Sequence, residues 1–139
     1  MKRIHMLVAV SSLAALALGG FAVQSLHAQD ALKAGTVLQK TDVAGGQEGM
    51  LVLREVPAGA ESGFHTNTGG EIVYILEGSV ILEVRGKAPV TIKQGAAFET
   101  KAGEVHNVKN ASATEPCKAL AFYVAKRGTP MEDLSVPAK

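Results

Sequence analysis

Two short stretches carry the residues able to do chemistry. Residues 59–78 read GAESGFHTNTGGEIVYILEG and residues 95–110 read GAAFETKAGEVHNVKN. Each holds one histidine, His65 and His106, and beyond the first 28 residues the chain has no other. His65 and Asn67 lie two apart, so on an extended strand their side chains share a face. Thr68, Gly69 and Gly70 supply a bend, because glycine takes backbone angles closed to other residues. Glu71 enters the next strand, with Val73 and Ile75 on its face. A bend between these strands would bring His65, Asn67 and Glu71 to one point. In the second stretch Gly103 sets a turn and His106 opens a strand, with Val108 and Asn110 on its face. Its imidazole, arriving from a distant strand, would complete a cluster suited to one metal ion.

The spacing resembles that of the cupin superfamily. The first cupin motif runs glycine, five residues, His, one residue, His, three or four residues, Glu, six residues, glycine. Gly59, His65, Glu71 and Gly78 fall in that register, with Asn67 where the second His is expected. The second motif runs glycine, five residues, Pro, one residue, glycine, two residues, His, three residues, Asn. Gly95, Gly103, His106 and Asn110 fall in register, with Lys101 where Pro is expected. The resemblance spans residues 38–124 and implies an all-β fold, a small antiparallel barrel of two sheets in the jelly-roll-like manner of a double-stranded β-helix. It implies a divalent metal held by His65, Glu71 and His106, with Asn67 or a water as fourth ligand. An amide oxygen is a weak, neutral ligand, which favours the water. Without the proline ring, the turn before His106 is expected to be looser.

Two imidazoles and one carboxylate leave positions open on a six-coordinate metal, an arrangement suited to Fe(II), with Mn(II), Ni(II) and Zn(II) as other occupants. The metal would polarise a substrate oxygen or activate water. Glu71, released from it, would take a proton from substrate. Small single-domain cupins include dioxygenases acting on enols or phenols, isomerases, lyases and proteins that merely bind. The leading expectation is a dioxygenase-type oxidoreductase acting on a small molecule; the competing one is a non-catalytic binding module. A third reading has both histidines as satisfied polar residues of a sheet whose metal has been lost.

The elements that must position these groups fit one domain. The 139 residues include 15 glycines and only 4% aromatics, which suits short strands joined by turns. The amino terminus stands apart. Lys2 and Arg3 precede an apolar run over residues 6–23, and a small residue, Ala28, precedes Gln29, the pattern of a secretory signal peptide cut after Ala28. An uncleaved membrane anchor is the alternative, the run being near the lower length of a spanning helix. Residues 29–139 then form a single domain in the periplasm or outside the cell, with a core over residues 38–125. Losing Lys2 and Arg3 turns the formal charge from +1 to −1. No basic patch favours nucleic acid, and after cleavage no segment favours the membrane. Cys117 is the single cysteine, so no intrachain disulfide forms; it is read as packing, with a thiol reaching the site as the sharper alternative.

Strands are expected over residues 30–40, 50–56, 72–77, 80–85, 90–93, 98–100 and 117–125, with a glycine-rich loop over residues 42–49. Gly78 and Ser79 read as a two-residue hairpin connection. Arg54 is either a solvated charge or an anchor for an anionic substrate group. Tyr74 has the parity opposite to Glu71. Ile72, Tyr74, Leu76 and Ile81 would face outward and could pair the chain as a homodimer. Residues 126–139 are expected to form a surface strap or to lack order.

Overall fold

The computed structural model describes residues 35–135, and every regular element among them is a strand. In chain order these are β1 (Thr36–Val43), β2 (Gln47–Val56), β3 (Thr66–Asn67), β4 (Gly70–Glu77), β5 (Ser79–Val84), β6 (Val90–Lys93), β7 (Ala97–Thr100), β8 (His106–Asn110), β9 (Cys117–Lys126) and β10 (Glu132–Asp133). The expected leader, residues 1–28, lies outside the described residues.

Alternation of apolar and polar side chains decides which face each strand buries. On β4, Glu71, Val73 and Ile75 are buried while Ile72 and Tyr74 are exposed. The same period of two buries Cys117, Ala119, Ala121, Tyr123 and Ala125 along β9. A five-stranded sheet in the order β1-β2-β9-β4-β7 faces a three-stranded sheet, β6-β5-β8, and β3 pairs with β10. All these strand pairs are antiparallel. Val52, Ile75, Val80, Ala119 and Ala121 form the core. Full burial of a side chain such as Val52 or Ile75 contributes about 1.5–3 kcal/mol.

Three local expectations need correction. β4 and β5 do not form a hairpin: β4 pairs with β7 and β9, and β5 with β6 and β8. Gly78 carries the chain from one sheet to the other at φ 78°, where a Cβ would stand 3.3 Å from Cys117. The expected loop over residues 42–49 shrinks to a turn at residues 44–46, because Gly45 and Gly46 both take positive φ. β1 and β2 therefore extend toward each other. The described part of the tail takes the strap form of that expectation: β10 pairs Glu132 with Asn67 and Asp133 with Thr66. Finally, the turn before His106 is closed without proline. Glu104 N donates to Lys101 O at 3.0 Å, Gly103 takes φ 73°, and Lys87 pairs with the Glu104 carboxylate at 2.6 Å.

Candidate functional site

His65 and His106 meet across a backbone bridge. His65 N donates to His106 O at 2.9 Å and His106 N to His65 O at 3.0 Å. Their ring centroids stand 4.3 Å apart at an interplanar angle of 54°. Both side chains are buried, and each is aimed by its own chain. His65 Nδ1 lies 2.9 Å from Gly63 O, and His106 Nδ1 lies 2.8 Å from Glu104 O. A carbonyl can only accept, so Nδ1 carries the proton and the lone pair is on Nε2. Burial lowers the pKa of His106 below its ordinary value; the positive charge His65 can carry acts the same way, while the Glu104 carbonyl opposes both. The ring is thereby biased toward the neutral form.

Glu71 is held differently. Its Oε2 accepts from Asn67 Nδ2 at 2.7 Å and from Thr100 Oγ1 at 3.0 Å. Asn67 Nδ2 also reaches Thr100 Oγ1 at 3.0 Å, so three buried polar side chains form one knot. Asn67 Oδ1 is buried without a hydrogen-bond partner. Asn67 is not among the residues that line the cavity, whereas His65, Glu71 and His106 are. The motif asparagine Asn110 serves the framework, its amide donating to Val56 O, Pro57 O and Glu115 O.

The cavity lies between the two sheets and has a volume of about 60 Å³. Val56, Val73, Ile75, Val80, Phe98 and Val108 make its wall mainly apolar. Arg54, expected as a solvated charge or an anion anchor, points inward from β2 and lines the cavity. Its Nη2 donates to the Tyr123 hydroxyl at 2.7 Å and pairs with Glu132 from β10. Burial opposes the guanidinium charge, but Tyr123 and Glu132 outweigh it and raise the pKa. Tyr123 is held as the phenol, first by burial and then by the charge of Glu71. Neither Tyr123 nor Glu132 stands out in the sequence. Tyr123 has the parity of Ala119 and Ala121 on β9 and was legible as inward-facing; Glu132 lies in a segment without periodicity. Cys117 belongs to the core rather than the cavity lining, and burial raises its pKa.

Two imidazoles with free Nε2 lone pairs and a carboxylate in one cavity have the donor chemistry of a divalent-metal site, and Asn67 Oδ1 is a buried acceptor in want of a partner. Among the described residues, no three His, Cys, Asp or Glu side chains are already gathered as a metal-holding group. Glu71 Oε2 is engaged by Asn67 and Thr100 instead.

Two antiparallel sheets closing on a cavity where histidines from two distant stretches meet define a double-stranded β-helix protein. The family model described as a Cupin domain matches residues 52–123, just over half of the chain, which belongs to that family. No curated protein matches it. Among solved structures it is similar to a double-stranded β-helix protein of Klebsiella pneumoniae, with a TM-score of 0.57 and 19% identity over 74% of this chain and 84% of that one. It is also similar to a protein of Thermus thermophilus, with a TM-score of 0.55 and 25% identity over 66% and 82% of the two chains. The DMSP lyase DddQ from Ruegeria pomeroyi is a third, at a TM-score of 0.54 and 23% identity over 68% of this chain. The match covers 45% of that lyase, so the chain spans under half of its length.

Proposed function

We propose that the cavity holds one divalent transition metal, with Fe(II) favoured, through His65, His106 and Glu71, and that the chain is a dioxygenase-type oxidoreductase acting on a small enol or phenol. The observation that carries this reading is the matched orientation of the two imidazoles. Each gives Nδ1 to a carbonyl two residues upstream, which leaves Nε2 in the state that ligates metals and fixes the ring.

The metal, when bound, would polarise a substrate oxygen and supply redox chemistry that imidazole and carboxylate lack. The apolar wall would exclude water and so strengthen every charge interaction inside. Glu71, released from the metal, would take a proton from substrate, and the donors Asn67 and Thr100 would steady its carboxylate as it does so.

A lyase reading draws on Tyr123, which lies close enough to Glu71 to feel its charge and is kept protonated. A phenol in that place would donate a hydrogen bond to a substrate oxygen. The similar structures include DMSP lyases, which lends this reading support of the same kind. On either reading the chain is exported to the periplasm or beyond after cleavage behind Ala28, and the exposed Ile72 and Tyr74 pair it with a second copy; a monomeric mass in sedimentation would remove the dimer.

The test is the metal content of the chain from Gln29, purified without chelators, beside a His65→Ala, His106→Ala double variant. Near one metal per wild-type chain and little in the variant is the expected result. Iron would then be followed by oxygen consumption with enols and phenols, and zinc or nickel by lyase and isomerase assays. Equal emptiness of both proteins under metal-replete conditions would refute the metal site and leave a binding module.

A further inference from the structure

A buried guanidinium in an apolar cavity needs a reason, because taking such a charge out of water is costly unless an anion meets it. Arg54 and Glu132 supply each other, with side chains 11% and 15% exposed. We propose that Arg54 anchors a carboxylate-binding subsite of the cavity, and that Glu132 fills this subsite until the carboxylate of a small organic acid replaces it. The proposal rests on reading the cavity as a ligand site and adds the ligand's chemical class.

Charge balance makes the event an exchange rather than an addition. Among the described residues, Arg54 is the one arginine or lysine of the cavity wall, and Glu71 and Glu132 are its two carboxylates. A further anion at the guanidinium therefore competes with Glu132 for the same donors. Glu71 is tied to Asn67 and Thr100 and stands beside Tyr123. Glu132 arrives from outside the barrel, on a strand of two residues. The backbone of that segment has its own anchors: β10 pairs with β3, and Thr68 N donates to Met131 O at 3.0 Å. The Glu132 side chain can thus swing away by rotation about its own bonds while the strap stays in place. A carboxylate taking its position would meet the planar guanidinium, whose geometry favours bidentate binding. The Arg54 bond to Tyr123, at 2.7 Å, would keep the guanidinium aimed during the exchange. The apolar body of the acid would then lie against Val56, Ala119 and Ala121 on the same wall.

The test is calorimetric titration of the mature chain with benzoate and its neutral counterpart benzamide, for wild type, Glu132→Gln and Arg54→Gln. Benzoate should bind at least about tenfold more tightly than benzamide, since only the anion completes the charge pair. Glu132→Gln removes the internal competitor and should tighten benzoate by about tenfold or more, leaving benzamide unchanged. Arg54→Gln should abolish the preference for the anion. Equal binding of the two probes by Glu132→Gln, no measurable benzoate binding by that variant, or benzoate binding no tighter than wild type would each overturn the subsite; none depends on Arg54→Gln folding. Metal content of the same preparations separates the two readings. Metal without benzoate preference sinks the subsite alone, and benzoate preference in a chain that stays metal-free under metal-replete conditions sinks the metal alone.

Discussion

Asn67 occupies the position at which the first motif expects a second histidine, and the structure gives it work that histidine would do poorly. One amide nitrogen serves both Glu71 and Thr100, at 2.7 and 3.0 Å. Those bonds hold the carboxylate at the inner end of β4 and couple it to β7. Truncation leaves two buried acceptors short of a donor, so Asn67→Ala should lower unfolding free energy by about 1–3 kcal/mol in urea denaturation. Unchanged stability would mean that Glu71 does not depend on this amide. Metal content of the same variant reads a second property. Retention of metal with reduced stability shows that the carboxylate can ligate without this amide, and loss of both shows that the site needs it.

At the scale of elements, β4 is the strand on which the site depends, and the two glycines at its start differ in what they allow. Before it, Gly69 lies so close to β9 that a Cβ would stand 2.0 Å from Val124 O and 2.7 Å from the Ala125 Cβ. The neighbour is backbone, which cannot yield cheaply. Gly70, the next residue, has nothing within 4 Å of an added Cβ. Gly69→Ala should therefore cost at least the 1–3 kcal/mol typical of overpacking (roughly), whereas Gly70→Ala should change stability by no more than about 0.5 kcal/mol. Thermal melts of the pair check this, and equal shifts would refute the close approach. Because Glu71 follows directly, loss of metal in Gly69→Ala would show that the seating of β4 on β9 aims the carboxylate.

The whole molecule depends on pH through one of its two buried histidines, His106. His106 has a lowered pKa in the folded chain and the ordinary 6.5 when unfolded. Below 6.5 the unfolded chain therefore binds more protons than the folded one, and stability falls as pH falls. Glu104, lowered from 4.5 chiefly by its hydrogen bond from Lys87, adds a loss of the same sign at lower pH, so on acidification the His106 contribution comes first. A single group contributes at most about 1.4 kcal/mol per pH unit. Urea denaturation of metal-free protein at about pH 7.5 and about pH 5 should show the decline, and His106→Asn should flatten it. A saturating metal at about 100 times its dissociation constant should add about 2.7 kcal/mol at neutral pH.

The family, the burial alternation of β4 and the meeting of His65 with His106 are legible in the sequence. These are consequences of residue spacing: a period of two selects a face, and the two motifs put histidines at fixed distances from turn glycines. Tertiary structure alone decided which strands are neighbours. Gly78 and Ser79 look locally like a hairpin, yet β4 and β5 go to different sheets, because each strand pairs where its apolar face can be buried. Strand neighbours, in turn, decided the rest of the site. Arg54, Tyr123 and Glu132 come from β2, β9 and β10, and no local signal links them. A guanidinium on a strand is ordinarily solvated; this one turns inward because a carboxylate from the far end of the chain meets it there.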